Sequence, residues 1–265
     1  MKYFKKCYRV WYYMIYQLKA RHRKGRGIHS PFAYELVSKV LYDRSGKTGL
    51  IKMEEIVNDL KKSKDTVKVK EGGSGSLSFN SDERRISDLV KRSSVQPKFG
   101  RLLFNLVSHY KPENIYELGT SVGVSTLYLA LANTLSKVKT VESDKQLCDF
   151  ANDIFKDNNI KNVQVIKGIF DDVIPDLIKR YPSPDFVFID GNHNYEATIR
   201  YYFIFCERIK KGLMVFDDIH WSREMNMAWK EIIKDENCQI TFDLFFMGIV
   251  VVNPDVTPGH YIVRY

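Results

Sequence analysis

No stretch of this 265-residue chain approaches the roughly 20 consecutive apolar residues that span a bilayer, and the early run from Val10 to Ile15 falls far short. A soluble protein is expected. No secretory signal is legible either, because charged residues flank that short aromatic run and no small-residue cleavage site follows it. Cysteine is scarce: Cys7, Cys148, Cys206 and Cys238 are scattered and form no C-x-x-C pair. That excludes a cysteine metal knuckle and reads as reduced thiols in a cytoplasmic protein. No internal repeat is evident. Acidic residues are missing altogether from residues 1 to 26, where Lys2, Lys5, Lys6, Arg9, Lys19, Arg21, Arg23, Lys24 and Arg26 account for the whole net charge of +9. The remaining 239 residues are balanced in charge, so a basic track for a nucleic-acid partner is confined to the N-terminus.

What is present suffices for one sizeable core, since 44% of the residues are hydrophobic. Phe4, Tyr8, Trp11, Ile15 and Leu18 recur at alternating spacings of four and three, which predicts an N-terminal helix with these side chains on one face. That face is expected to dock on its own domain or on a sister subunit of a homodimer. The alternative is a basic, aromatic helix lying on an anionic membrane surface. Ser30-Pro31 predicts a capped helix start running to Leu41, and a second helix is expected near Met53 to Lys61. Lys70 to Asp82 holds Gly72, Gly73, Gly75 and four serines, a composition too poor in apolar residues to pack, and reads as a mobile lid loop or a linker. Residues 1–98 are therefore assigned to an N-terminal helical segment with its loop, and 99–265 to a catalytic domain.

From Phe99 to Tyr110 apolar residues repeat at helical spacing, and Lys111-Pro112 closes the helix. Short apolar runs then follow at Asn114 to Leu118, Val138 to Val141, Val163 to Ile166, Phe186 to Ile189 and Leu213 to Phe216, separated by segments of helical length. Such alternation predicts a Rossmann-like, doubly wound, mostly parallel α/β sheet. Gln239 to Phe246 and Gly248 to Asn253 add an antiparallel hairpin at one edge, for seven strands in all.

Ligands of an open α/β sheet sit beyond the carboxyl ends of its strands, and four such ends carry candidate chemistry. Glu117-Leu118-Gly119-Thr120-Ser121-Val122-Gly123-Val124-Ser125 leads from the first strand into a helix. Its glycines admit close backbone approach, and the helix start attracts a carboxylate or phosphate. Three residues separate Gly119 from Gly123, unlike the G-x-G-x-x-G of a nicotinamide site. Glu142 ends the second strand about 20 residues after that turn, where a carboxylate can accept both hydroxyls of a ribose. Asp190 ends the fourth strand, with His193 three residues on, and Asp217-Asp218 end the fifth. Three acids at neighbouring strand ends repel one another unless a hard cation, Mg²⁺ above all, lies among them. The alternative is that each caps a turn or is solvated. His193 is a competent base near neutrality, and His220 is a second, weaker candidate.

Glu117-x-Gly119-x-x-x-Gly123 followed by Glu142 resembles the cofactor signature of class I S-adenosylmethionine-dependent methyltransferases, over about Phe99 to Asn253. The resemblance implies that the turn, with Thr120, Ser121 and Ser125, holds the methionine moiety. It implies that Glu142 holds the ribose and that Ile169 and Phe170 border the adenine. The Asp190-Gly191-Asn192-His193 strand end is similar to the metal-dependent O-methyltransferases, including the catechol enzymes and those acting on sugars and antibiotics. This implies metal binding by Asp190, Asp217 and Asp218, contact of Asp190 with the cofactor, and a catalytic pair of Asp190 and His193. Two acids at 217 and 218, where the catechol enzymes have Asp-Asn, point to a small-molecule or sugar-like hydroxyl acceptor. An RNA methyltransferase and a non-catalytic binding protein retaining the fold are the alternatives.

Overall fold

The computed structural model describes residues 2–69, 83–92 and 94–265, with the backbone alone for residues 2–7. The loop expected at Lys70 to Asp82 lies outside the described residues. The chain forms two compact units, one made of residues 1–43 with 184–265 and the other of residues 44–183.

The first unit opens with helix α1 (Lys2–Lys19), a 3₁₀ turn at Arg23–Gly25, and α2 (Pro31–Glu35), which continues as a π-helical stretch over Leu36–Leu41. Ser30 caps α2 as expected, its hydroxyl accepting from Ala33 N at 3.4 Å. The docked face of α1 differs from the predicted one. Tyr8, Tyr12 and Tyr16, spaced by four, face the unit, whereas Trp11 and Leu18 face solvent. The reason is the phenol: an apolar ring that buries while its hydroxyl finds a partner outcompetes an aliphatic residue at a polar seam. Tyr16 donates to Val263 O at 2.5 Å and accepts from Tyr265 N at 3.2 Å, while Lys230 Nζ donates to Tyr12 at 3.1 Å.

The second unit runs α3 (Thr48–Leu60), β1 (Thr66–Lys68), β2 (Glu83–Arg85), α4 (Ile86–Arg92), α5 (Pro97–Tyr110), β3 (Asn114–Leu118), α6 (Val124–Ala132), β4 (Lys137–Glu142), α7 (Lys145–Asp157), β5 (Val163–Lys167) and α8 (Phe170–Arg180). β1 and β2 form a small antiparallel pair that the sequence reading did not include. β3, β4 and β5 are parallel neighbours in that order. Every residue of β3 is buried, the mark of a strand covered on both faces. α5 ends where Lys111 takes the left-handed conformation (φ 48°) just before Pro112.

Gly100 on α5 lets α6 approach: a Cβ there would lie 2.0 Å from the ring of the buried Tyr128. Gly100→Ala gains about 1 kcal/mol of helix propensity, but no rotamer clears a ring at that distance. We expect a net loss of about 1–3 kcal/mol, the usual range for overpacking, read as a lowered denaturation midpoint. An unchanged midpoint would show that the two helices are looser than described.

The first unit resumes with β6 (Phe186–Ile189), α9 (Tyr195–Cys206), β7 (Gly212–Asp217), α10 (Arg223–Ile232), β8 (Ile240–Asp243), β9 (Met247–Val252) and β10 (Gly259–Ile262). β6 and β7 are parallel, β9 is antiparallel to both β7 and β8, and β10 pairs in parallel with β8. The expected hairpin is present but is not the edge. β10 lies outside it, an eighth strand where seven were expected. Its four residues include a polar His260 and give no apolar run to read. The fold class stands as predicted, α/β and mostly parallel.

Candidate functional site

In the second unit the turn between β3 and α6 is bent by backbone angles few side chains adopt: Gly119 at φ 113°, Ser121 at 48° and Gly123 at 81°. Gly119 N and Thr120 N both reach Val141 O, at 3.0 and 3.3 Å, tying the turn to the end of β4. The hydroxyls of Thr120 and Thr140 meet at 2.6 Å in a buried pair. Gly123 must stay small, because a Cβ there would lie 2.9 Å from the Phe155 ring.

Glu142 is built into this turn. Its Oε2 accepts from Ser121 N at 2.9 Å, and its Oε1 accepts from Asp144 N at 3.0 Å. Oε1 also accepts from Ser143 Oγ at 3.4 Å, so the lone pair left for a ligand hydroxyl is on Oε2. Asp144 in turn caps α7, accepting from Gln146 N and Leu147 N. Cys148, one turn on, has its thiol pushed up to about 11 by burial and then by Glu142, Asp149 and Asp144, so it stays protonated near neutrality. Glu117 is fully buried in β3 and accepts from Thr126 Oγ1 at 2.5 Å, which locks the strand to the second residue after the α6 start. Ser125 is buried in the first turn of α6, a helix with no side-chain cap at its N-terminus. Gly168 N donates to Glu142 O at 2.8 Å, bringing the ends of β4 and β5 together. Ile169 follows with its side chain exposed, and half-buried Phe170 opens α8.

The first unit holds the acids. Asp190 follows β6, and its Oδ1 lies 3.5 Å from His193 Nε2. Asn192 between them adopts φ 51° and donates to the Tyr201 hydroxyl at 2.8 Å, and Asn194 caps α9 by accepting from Ala197 N at 2.9 Å. Those two contacts hold the strand end, and with it His193, in a fixed bend. Burial pulls the His193 pKa down. The hydrogen bond and charge of Asp190, with the charge of Asp218, outweigh that and leave it raised. Asp217 ends β7 half-buried, and desolvation, then Asp190 and Asp218, hold its carboxyl well above the usual carboxylate range. Asp218, with backbone φ 53°, is raised too, by burial and then Asp190, against the lowering charges of His193 and Arg9. Burial is the larger cause for Asp217 and Asp218, and the charge of Asp190 adds to it in both. Oxygen donors of this kind suit a hard divalent cation. Among the described residues no group of three or more His, Cys, Asp and Glu side chains is placed so that it could hold a metal ion.

His220 is a satisfied histidine. Its Nε2 meets Asp243 Oδ2 at 2.8 Å, its Nδ1 meets Asn226 Nδ2 at 2.5 Å, and its ring lies 5.7 Å from that of Tyr12. With both nitrogens engaged it positions α1 against the unit and offers no free base. Sequence reasoning missed Arg9, whose guanidinium stacks over Trp221 at 4.0 Å and adds a positive charge near Asp218. Nothing in the sequence separated Arg9 from the other basic residues of that segment.

Residues 116–219 match a family described as a methyltransferase domain, which covers β3 through the end of β7 and so both sets of residues. The O-methyltransferase hkm8 of Aspergillus hancockii is 27% identical over 159 residues, 57% of this chain and 61% of its own, so the chain spans about three fifths of that relative's length. Among solved structures, the O-methyltransferase from Bacillus cereus in complex with SAH superposes with a TM-score of 0.55 at 18% identity, covering 82% of this chain and 96% of its own. TomG, the O-methyltransferase of Streptomyces achromogenes involved in tomaymycin synthesis, solved in complex with SAM, gives 0.54 at 16%, covering 83% and 95%. At these identities the structural likeness establishes the fold.

Proposed function

We propose that the methyltransferase domain over residues 116–219 makes this chain an S-adenosylmethionine-dependent O-methyltransferase assisted by a divalent cation and acting on a hydroxyl of a small-molecule or sugar-like acceptor. The observation that carries the reading is Glu142, whose carboxylate both straps the Gly119–Gly123 turn through Ser121 N and keeps an Oε2 lone pair for a ribose hydroxyl. Gly119, Thr120 and Ser121 give the methionine end a close backbone, and the uncapped start of α6 at Val124 and Ser125 favours its carboxylate. Ile169, exposed, and Phe170 border the adenine.

When bound, the cofactor supplies an electrophilic methyl on its sulfonium, and a Mg²⁺-like cation held by Asp190, Asp217 and Asp218 would lower the pKa of the acceptor hydroxyl. With Nε2 turned toward Asp190 Oδ1, His193 keeps Nδ1 for the acceptor's proton. Asp190 stabilises the imidazolium that results, much as it raises the His193 pKa in the free protein. The remaining work is positioning, which the rigid strand ends provide.

The test is calorimetric titration with S-adenosylmethionine, followed by release of the demethylated cofactor across a panel of hydroxyl acceptors, with and without chelator. No cofactor binding would defeat the whole reading, and full turnover under chelation would defeat the cation alone. His193→Gln should lower kcat by about 100-fold. In the wild type, activity should rise with pH through a value above the ordinary 6.5 of histidine, because His193 must first lose its proton. Adding Mg²⁺ should move that limb to lower pH, since a cation among the acids opposes the charges that raise it. A limb indifferent to both changes would remove His193 from the proton transfer.

A further inference from the structure

Helix α1 has two faces, and the fold uses one. Its tyrosine face is docked. On the other side Val10, Trp11, Met14 and Leu18, spaced by one, three and four, leave 56%, 62%, 57% and 80% of their surfaces in solvent. Four large apolar side chains in one stripe, on one helix, are not the scattered exposed apolar residues of an ordinary surface. The excess charge of the chain lies in the same segment. Residues 1–26 hold nine Lys and Arg and no acid, and the last of these, Lys19, Arg21, Arg23, Lys24 and Arg26, follow directly on the stripe. Among the described residues no helix is long and apolar enough to cross a membrane.

We propose that this face of α1 lays the protein on an anionic lipid bilayer, with Trp11, Met14 and Leu18 entering the headgroup boundary and the neighbouring basic residues engaging lipid phosphates and carboxylates. A segment combining an exposed apolar stripe with many basic residues and no acid has the composition of an interfacial helix, bound by apolar burial and charge together. Two other occupants fit less well. A second copy meeting this face across a two-fold axis would bring the same uncompensated basic segment against itself, and like charges there oppose the contact. An RNA would satisfy the charge but would leave the aliphatic stripe in water, since backbone binding needs cations and stacking rings rather than Val, Met and Leu. Nothing in the proposal depends on methyl transfer, and its test reads binding alone.

The experiment is co-sedimentation of the full chain with phosphatidylcholine vesicles and with vesicles that also contain phosphatidylserine. The wild type should bind the second kind only, and more weakly as salt rises. The double variant Trp11→Gln, Leu18→Gln keeps good helix formers at solvent-exposed positions and should bind about tenfold more weakly or worse. Arg21→Glu should weaken binding to the anionic vesicles with the apolar face intact. Circular dichroism checks that each variant is folded. The proposal is overturned if the wild type ignores anionic vesicles at low salt, or if the double variant binds them as well as the wild type. It is equally overturned if ultracentrifugation shows self-association that the double variant abolishes, or if the segment binds single-stranded RNA more tightly than the vesicles.

Discussion

Glu142→Ala is expected to weaken S-adenosylmethionine binding by about 100-fold or more, a loss of roughly 2.7 kcal/mol or more, while the protein remains folded. Two effects combine. The ribose loses its acceptor, and hydrogen bonds to a charged group contribute about 1.5–3 kcal/mol each. The turn also loses its strap, because Glu142 holds Ser121 N at 2.9 Å while Ser121 sits at φ 48°, an angle a serine rarely adopts unaided. The two effects separate in Glu142→Gln. Glutamine keeps one acceptor oxygen but turns an NH₂ toward either Ser121 N or Asp144 N, both of which are donors. Its loss should fall between wild type and alanine. Titration calorimetry measures all three proteins, and circular dichroism confirms their folding. An alanine variant that binds within about threefold of wild type, under 1 kcal/mol, would show that Glu142 is a turn brace with no ribose to hold.

That Glu142 could be singled out from sequence, and its brace could not, illustrates where sequence reading stops. The buried parallel strands were legible because covering both faces favours mostly apolar runs: Phe-Val-Phe-Ile in β6 is apolar and buried at every position, and β3 is buried throughout with Asn114 and Glu117 as its polar members. The acids and glycines were legible because α/β geometry sends the residue after each run to the ligand edge. Hydrogen bonds from a strand end to another element carry no such spacing, so neither the hold of Glu142 on Ser121 nor that of Asn192 on Tyr201 in α9 has a sequence signal. β10 was missed because Gly-His-Tyr-Ile is short and mixed, and its place is fixed by pairing with β8. The face of α1 was misassigned for a different reason. Periodicity registers which residues are apolar, whereas the fold chose the tyrosines, whose hydroxyls reach Val263 O and Lys230 Nζ. His220, a weaker candidate from sequence, has both ring nitrogens engaged, by Asp243 and Asn226, 23 and six residues further along the chain, and no spacing signals those partners.

Asp217→Asn should make the free protein more stable near neutral pH and the enzyme slower. Burial and the charges of Asp190 and Asp218 raise the Asp217 pKa well above its ordinary 3.8. Below that value the folded and unfolded states both hold the proton, and Asp217 costs nothing. As pH rises above it, the unfolded chain releases the proton first and stability falls. The loss is complete once pH passes the folded-state pKa, with each unit of separation costing about 1.4 kcal/mol. Asparagine carries no charge at any pH. The variant should therefore melt higher than wild type at pH 7 to 8, by a margin that shrinks as pH falls toward 4. The proposed cation would relieve the same repulsion by another route, so Mg²⁺ should raise the wild-type melting temperature at pH 8, by about 2.7 kcal/mol of stability at 100 times its dissociation constant. In Asp217→Asn that increment should be smaller, and turnover should fall on the order of 10²–10³-fold, the range for losing one preorganised electrostatic group at a reacting centre. Melting curves across pH, with and without Mg²⁺, carry the decision. A variant no more stable than wild type at pH 8 would mean that Asp217 is not strained by its neighbours, and a wild type indifferent to Mg²⁺ would leave that strain without the ligand proposed to relieve it.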